Sequence, residues 1–121
     1  MLKKDKVIGI ERLIYATKYS LLGLKSAWRY EAAFRQEVIV LIITILISFW
    51  LDITMIEKIA LIGSVILVII VELINSGIEA VVDRIGIEFN ELSGRAKDLG
   101  SAAVFVTVIL SLFVWVSVLW S

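Results

Sequence analysis

A long run without charged side chains is the feature that most constrains the fold of this chain. Residues 59 to 71 (IALIGSVILVIIV) are apolar or small. A helix that continues from them to about residue 82 is long enough to cross the roughly 30 Å hydrocarbon core of a bilayer. The chain is 60% hydrophobic with a mean hydropathy of +0.99, which is too apolar for a soluble domain of 121 residues. The sequence therefore predicts a membrane protein.

Two further apolar runs predict two more membrane-spanning helices. Residues 38 to 51 are short for a span, and part of the polar connection YEAAFRQE (residues 30 to 37) has to lengthen it. Residues 102 to 120 are uncharged and end in Trp120, an aromatic residue typical of the membrane interface. We predict one all-α polytopic membrane domain over residues 1–121, with spans at about 32–51, 59–82 and 99–120.

The segment before the first span has the pattern of an amphipathic surface helix. Over residues 6 to 29, apolar side chains recur on one face and basic side chains lie elsewhere, as in helices that lie in the membrane interface. The alternative is a soluble helix packed on another domain, and the sequence shows no such domain. The apolar face comprises Ile10, Leu13, Ile14, Leu21, Leu24 and Trp28, and the basic residues are Arg12, Lys18, Lys25 and Arg29.

The distribution of basic residues predicts the orientation of the chain. Eleven of the twelve lysine and arginine residues lie in residues 1 to 37 and 83 to 98, which three spans place on the same side. Basic segments beside spans stay in the cytoplasm. We therefore expect a cytoplasmic N-terminus and a C-terminus on the opposite side.

Polar side chains follow the uncharged run at steps of three and four residues. Glu72, Asn75, Ser76, Glu79 and Asp83 would line one face of a single helix. At 1.5 Å per residue, Glu72 lies roughly 20 Å along the helix from residue 59, still inside the membrane. An ionisable group there costs about 2.5–3.5 kcal/mol or more, which makes it a functional candidate. The alternative is a carboxylate that only joins helices through hydrogen bonds.

The residue types that the chain lacks narrow its chemistry. It has no histidine and no cysteine, which excludes Ser-His catalysis, Cys-His catalysis and thiolate metal sites. Its net charge is zero, so binding of nucleic acid has no electrostatic basis. Carboxylates suit Mg²⁺, and arginine and lysine suit phosphate oxygens. These parts fit phosphoryl transfer from a Mg-nucleotide without a P-loop or a protein-kinase signature. A small transporter or channel subunit would also carry acidic and polar side chains along one face of a membrane-spanning helix.

The polar segments resemble a known family over nearly the whole chain. The run VELINSGIEAVVDRIGIEFNELSGRAKDLGSAAV, with the earlier EAAFRQE, closely resembles the bacterial integral-membrane diacylglycerol kinases, in particular the proteobacterial type. The combination of E-x-x-N-[ST]-x-[IL]-E-x-x-x-D with A-K-D is specific. The related undecaprenol kinases share E-x-x-N-x-x-x-E and A-K-D but usually differ around EAAFRQE and ELSGR.

The resemblance implies a homotrimer in the bacterial inner membrane, with shared active sites near the cytoplasmic interface. The implied reaction moves the γ-phosphoryl group of ATP to diacylglycerol, which gives phosphatidic acid for phospholipid metabolism. Glu72 is the implied general base, and Glu31 and Glu79 are the implied ligands of the divalent cation, Mg²⁺. The implied ATP contacts are Arg12, Tyr19, Glu31, Glu79, Glu88, Phe89, Asn90, Lys97 and Asp98. The implied lipid contacts are Arg12, Ala33, Phe34, Arg35, Gln36, Glu37, Trp50, Glu72 and Ser101.

Several family positions keep a second interpretation. Asn75 is expected to orient the site, and Asp83 to act in structure or assembly; the alternative is a direct catalytic role. Asn90 stands where many relatives have histidine, and asparagine hydrogen-bonds but cannot become a cation. Without the resemblance, Lys97 and Asp98 would be charges that cap the third span. The rival functions are an undecaprenol kinase and a non-catalytic subunit that couples protons or ions.

Overall fold

The computed structural model describes residues 9–86 and 88–121, and within them the chain is helical almost throughout. The helices are α1 (Ile10–Tyr30), α2 (Ala32–Trp50), α3 (Met55–Ile85) and α4 (Glu91–Trp120). Of these, α2, α3 and α4 are long and apolar enough to cross a membrane. The predicted all-α class with three candidate membrane-spanning helices is confirmed. Residues 6–8 of the predicted surface helix lie outside the described residues.

Helix α3 is the central helix, because it packs against both α2 and α4. A small apolar core joins α1, α2 and α3 through Ala27, Phe34 and Ile69. Most other large apolar side chains, such as Leu46 and Phe113, are exposed. The exposed set includes all six residues on the predicted apolar face of α1. In water so much exposed apolar surface would be unstable, whereas in a bilayer lipid tails cover it.

A single residue, Glu31, separates α1 from α2. Its backbone is extended (φ −115°, ψ 104°), so the chain turns a corner there. The Arg35 guanidinium donates hydrogen bonds to the carbonyls of Trp28 (2.7 Å) and Arg29 (3.4 Å), two of the carbonyls that the end of α1 leaves without helical partners. The polar connection expected over residues 30–37 is therefore mostly helical, because Arg35 satisfies the end of α1 from inside α2.

Helices α3 and α4 begin earlier than the predicted spans, because side chains cap them. The Thr54 hydroxyl accepts from the Glu57 amide (3.1 Å) while the Glu57 carboxylate accepts from the Thr54 amide (2.9 Å), and this capping box starts α3. The Asn90 side-chain oxygen accepts from the amides of Leu92 (2.9 Å) and Ser93 (3.1 Å) and starts α4. Of the polar segment expected over residues 83–98, residues 91–98 are thus the first two turns of α4, and residues 83–85 end α3.

Buried hydroxyl groups lie between the helices toward the start of α3 and the end of α4. The Ser64 and Ser111 hydroxyl oxygens are 2.9 Å apart, and both side chains are buried. Since the Ser64 hydroxyl also donates to the Leu61 carbonyl (2.9 Å), Ser111 is the donor in the interhelical bond. We call the buried hydroxyl residues of α2, α3 and α4 the hydroxyl set; they are Thr44, Ser48, Ser64, Thr107 and Ser111.

Candidate active site

Three carboxylates lie within electrostatic range of Glu72, in the second half of α3. Glu72 is buried on α3, with 8% of its surface exposed. The charges of Glu31, at the corner before α2, and Glu79, two turns further along α3, act on Glu72. Glu72 in turn acts on Glu37 of α2. We call Glu31, Glu37, Glu72 and Glu79 the acid cluster. Glu72 is buried and the other three are half-buried. Because like charges repel, a proton or a cation would stabilise the cluster.

Asn75 fixes the orientation of one carboxylate of the acid cluster. It is buried one turn after Glu72, and its amide nitrogen donates a hydrogen bond of 2.8 Å to the Glu79 carboxylate. A carboxylate only accepts, so the amide nitrogen must face Glu79 and the amide oxygen must face away. That oxygen is buried and accepts no hydrogen bond from the residues that the structure describes. Asn75 donates to Glu79 and not to Glu72, which leaves Glu72 available for another partner.

The donor chemistry of the acid cluster fits a hard divalent cation. All its potential ligands are carboxylate oxygens, and one of them, Glu37 Oε1, is buried without a hydrogen-bond partner in the described part of the chain. Within residues 9–86 and 88–121, no three acidic side chains converge into a complete metal site. Mg²⁺ does not need one, because it is commonly held by one or two carboxylates together with substrate phosphates and water.

A cleft of about 350 Å³ with a mixed polar and apolar lining lies where α3 ends and α4 begins. Its lining brings together the predicted nucleotide residues Glu88, Phe89, Asn90 and Lys97 with Asp83. The Lys97 ammonium lies 3.0 Å from the Asp83 carboxylate, and the two side chains are 44% and 65% exposed. The ion pair therefore holds the lysine in place and leaves it open to a ligand. Because α4 begins at Glu91, Lys97 lies inside the helix and is not a capping charge.

A larger and mainly apolar cleft of about 680 Å³ separates α1 from α3. Glu31 and Ser76 reach it beside the apolar side chains of Leu24 and Leu73. Ser76 lies on the predicted polar face of α3, where the sequence alone indicates no role for it. Small residues on both helices leave this space open. Their recurrence at positions 20, 23, 26 and 27 on α1 and 76, 77 and 80 on α3 is the signal that would have indicated the cleft.

The predicted lipid residues divide between packing and surface positions. Phe34 is buried in the apolar core, and the Arg35 side chain closes the corner at Glu31. Ala33 is half-buried and Gln36 is exposed. Trp50 is 83% exposed at the far end of α2, away from the acid cluster. These side chains do not converge on one surface of the single chain.

Four further predicted site residues on α1 and α4 line neither cleft. Arg12 and Tyr19 are exposed on α1 and line neither cleft. Asp98 and Ser101 are exposed on α4, just beyond Lys97. The single chain therefore brings together the predicted nucleotide residues of the cleft between α3 and α4. The predicted nucleotide residues of α1, Arg12 and Tyr19, lie apart from that cleft.

Comparison with known proteins gives a consistent set of similarities. The family model for prokaryotic diacylglycerol kinase matches residues 18–119. A protein named diacylglycerol kinase from Escherichia coli K12 is 54% identical over 117 residues, which cover 97% of this chain and 96% of that protein. The protein of that name from Haemophilus influenzae is 53% identical over 114 residues (94% and 97%). The one from Pseudomonas aeruginosa is 45% identical over 111 residues (92% and 90%).

Proposed function

The chain belongs to the prokaryotic diacylglycerol kinase family, and on that premise we propose that it transfers the γ-phosphoryl group of ATP to diacylglycerol. The products are phosphatidic acid and ADP. The observation that carries the proposal is the position of Glu72, a buried carboxylate on a membrane-spanning helix next to Glu31 and Glu79. An ionisable group at such a depth is costly, and a reaction that uses it explains its presence.

Glu72 is the proposed general base. Its carboxylate accepts the proton of the lipid hydroxyl while the hydroxyl oxygen forms a bond to the γ-phosphorus. The bond from that phosphorus to the bridging oxygen of ADP breaks in the same displacement. No nucleophilic side chain of the histidine or cysteine type is present, so direct transfer without a phosphoenzyme is the simplest route.

Glu31 and Glu79 are the proposed ligands of Mg²⁺, and Asn75 holds Glu79 in position. When bound, Mg²⁺ balances the negative charge of the phosphate oxygens and of the acid cluster. Lys97 is the proposed phosphate contact, oriented by Asp83 at 3.0 Å. Phe89 and Glu88 line the same cleft and are the proposed contacts to base and ribose.

Asn90 has a proposed role that differs from that of the histidine found at this position in many relatives. Its side-chain oxygen accepts two backbone hydrogen bonds at the start of α4, so only its amide nitrogen is left to donate to the nucleotide. Its contribution to nucleotide binding is therefore mainly to position the first turn of α4, which lines the cleft together with Lys97.

The apolar cleft between α1 and α3 is the proposed entrance for the lipid. Its apolar lining suits acyl chains, and its polar end at Glu31 and Ser76 lies toward the acid cluster. A diacylglycerol molecule in this cleft would present its hydroxyl to the carboxylates while its chains remain in an apolar environment. The lipid then does not have to leave the bilayer in order to react.

The proposed assembly is a homotrimer in the inner membrane with the N-terminus in the cytoplasm. Arg12 and Tyr19 lie on α1 outside both clefts of their own chain, which supports a nucleotide site completed by α1 of a neighbouring subunit. The large exposed apolar surface supports both membrane burial and subunit contacts. The positions of eleven of the twelve basic residues support the cytoplasmic orientation.

A lipid phosphorylation assay tests the proposed function. The purified protein is given γ-labelled Mg-ATP with diacylglycerol or with undecaprenol in separate mixed micelles. We expect the label in phosphatidic acid and little in the polyprenol product. Stronger labelling of the polyprenol would overturn the substrate, and labelling of neither lipid by a folded protein would overturn the kinase activity.

A further inference from the structure

Gly100 of α4 packs against the Asn75 side chain of α3. It is buried on α4, where its bare Cα faces the Asn75 side-chain oxygen across the contact with α3. A Cβ at position 100 would overlap that oxygen and would lie 3.2 Å from Asn75 Cγ and 3.7 Å from Ile78 Cδ1. No side chain larger than hydrogen fits unless Asn75 moves. Gly63 of α3 contrasts with this, because a Cβ there meets no atom within 4 Å.

The Asn75 side chain has little freedom to move aside. It is 7% exposed, and its amide nitrogen is held by the Glu79 carboxylate at 2.8 Å. Any rotation that takes the oxygen away from position 100 also moves the nitrogen, because both belong to one planar amide. The contact with Gly100 and the hydrogen bond to Glu79 are therefore parts of one arrangement. The Cα hydrogens of Gly100 are also weak donors directed at an oxygen without another partner in the described residues.

We propose that Gly100 is a positioning residue for the cation site: its missing side chain sets the Asn75 conformation that holds Glu79. The inference rests on the proposed function, because Glu79 matters as a ligand only if the protein binds a divalent cation. Gly100 lines neither cleft and acts only through Asn75. It thereby makes the packing of α4 against α3 a determinant of cation affinity.

Direct binding of Mn²⁺ tests this inference without relying on turnover. Mn²⁺ replaces Mg²⁺ and is followed by electron paramagnetic resonance, with the purified protein and the non-hydrolysable β,γ-imido analogue of ATP. We expect Gly100→Ala to weaken Mn²⁺ binding by about tenfold or more, the usual range for a lost supporting contact behind a metal ligand. Gly63→Ala, a glycine-to-alanine change in open space on α3, is the matched control and should bind as the unmodified protein does.

A double variant separates positioning from general packing. In an Asn75→Ala background the overlap no longer exists, so adding Gly100→Ala should cause no further loss of Mn²⁺ binding. If Gly100→Ala alone fails to fold, the proposal requires the double variant to fold. An additive loss in the double variant, unfolding of both variants, or unchanged Mn²⁺ binding by Gly100→Ala would each overturn the proposal.

The two proposals fail in different ways. An unmodified protein that binds Mn²⁺ but labels neither lipid contradicts the kinase activity and leaves the Gly100 comparison intact. An active protein in which Gly100→Ala and Gly63→Ala bind Mn²⁺ equally well contradicts only the role of Gly100.

Discussion

The two halves of the helix bundle bury polar side chains in opposite ways. In the hydroxyl set, every side chain is neutral, and Ser64 and Ser111 form a hydrogen bond of 2.9 Å between α3 and α4. In the acid cluster, about two turns further along α3, Glu72 is buried next to other carboxylates that repel it. In one half of α3, the buried Ser64 has a hydrogen-bond partner on α4. In the other half, the buried Glu72 has neighbours of the same charge.

The difference separates groups that stabilise the fold from groups that serve a ligand. A buried neutral hydroxyl costs little when it has a partner. Even Ser48, whose hydroxyl has no partner among the described residues, costs roughly 1–3 kcal/mol. A buried carboxylate with like charges around it, such as Glu72, costs more than a buried hydroxyl. Proteins violate their own packing rules mainly where function requires it, which is the expectation for the acid cluster and not for the hydroxyl set.

Replacement of Glu72, the proposed general base, should reduce activity more than any other change. A small effect would contradict the distinction between the acid cluster and the hydroxyl set. Glu72→Gln keeps the size and hydrogen bonding of the side chain and removes its ability to accept a proton. We expect kcat to fall by about 10²-fold or more, the usual contribution of a general base. Thermal unfolding should be unchanged or occur at a higher temperature, because one repelling charge is gone. A variant that keeps most of its activity, or that unfolds far more easily, would make Glu72 a structural residue.

Removal of the lysine charge should have an intermediate effect that is confined to the nucleotide. Lys97→Met keeps the length of the side chain and loses the ammonium that lies beside Asp83. We expect KM for Mg-ATP to rise about tenfold, the equivalent of roughly 1.4 kcal/mol, with KM for the lipid unchanged. Arg95→Met is the control, because Arg95 lies on the same helix in an exposed, 3.9 Å pair with Glu91. Equal effects of the two variants would show a general response to charge.

Loss of one interhelical hydroxyl should have the smallest effect, and only on stability. Ser64→Ala removes the hydrogen bond to Ser111 and should lower the unfolding free energy by about 0.6 kcal/mol, the average for such bonds between membrane helices. In an Ser111→Ala background it should cost less. Ser117→Ala is the control, since that hydroxyl bonds within its own helix, to Phe113. A large loss of lipid phosphorylation in Ser64→Ala would erase the distinction between the two halves.

The parts of this fold that depend on local sequence were predictable, and those that depend on contacts between helices were not. Apolar runs predicted the three candidate membrane-spanning helices, and the three- and four-residue spacing predicted that Glu72, Asn75 and Glu79 share a face. The capping box at Thr54 was missed although its T-x-x-E signature is present in the sequence. This omission shifted the predicted start of the helix by about one turn.

The contacts that shape the candidate site join residues far apart in sequence. Asp83 and Lys97 are fourteen residues apart, and their ion pair depends on how the chain turns between α3 and α4. Gly100 meets Asn75 only because of the rotation of α4 about its axis, for which a nearly uniformly apolar helix gives no periodic signal. The reach of Arg35 back to Trp28 likewise follows from a corner at a single residue.

The length of α3 has a consequence for how the two substrates would meet. Its 31 residues extend about 46 Å at 1.5 Å per residue, whereas the hydrocarbon layer is about 30 Å thick. One continuous rod of this length extends beyond the hydrocarbon layer, and Glu72, Glu79 and Asp83 follow one another along it. For the proposed reaction, a substrate that diffuses in two dimensions within the bilayer and one that diffuses in three dimensions in water are aligned along this rod. Neither has to cross a phase boundary to reach the other.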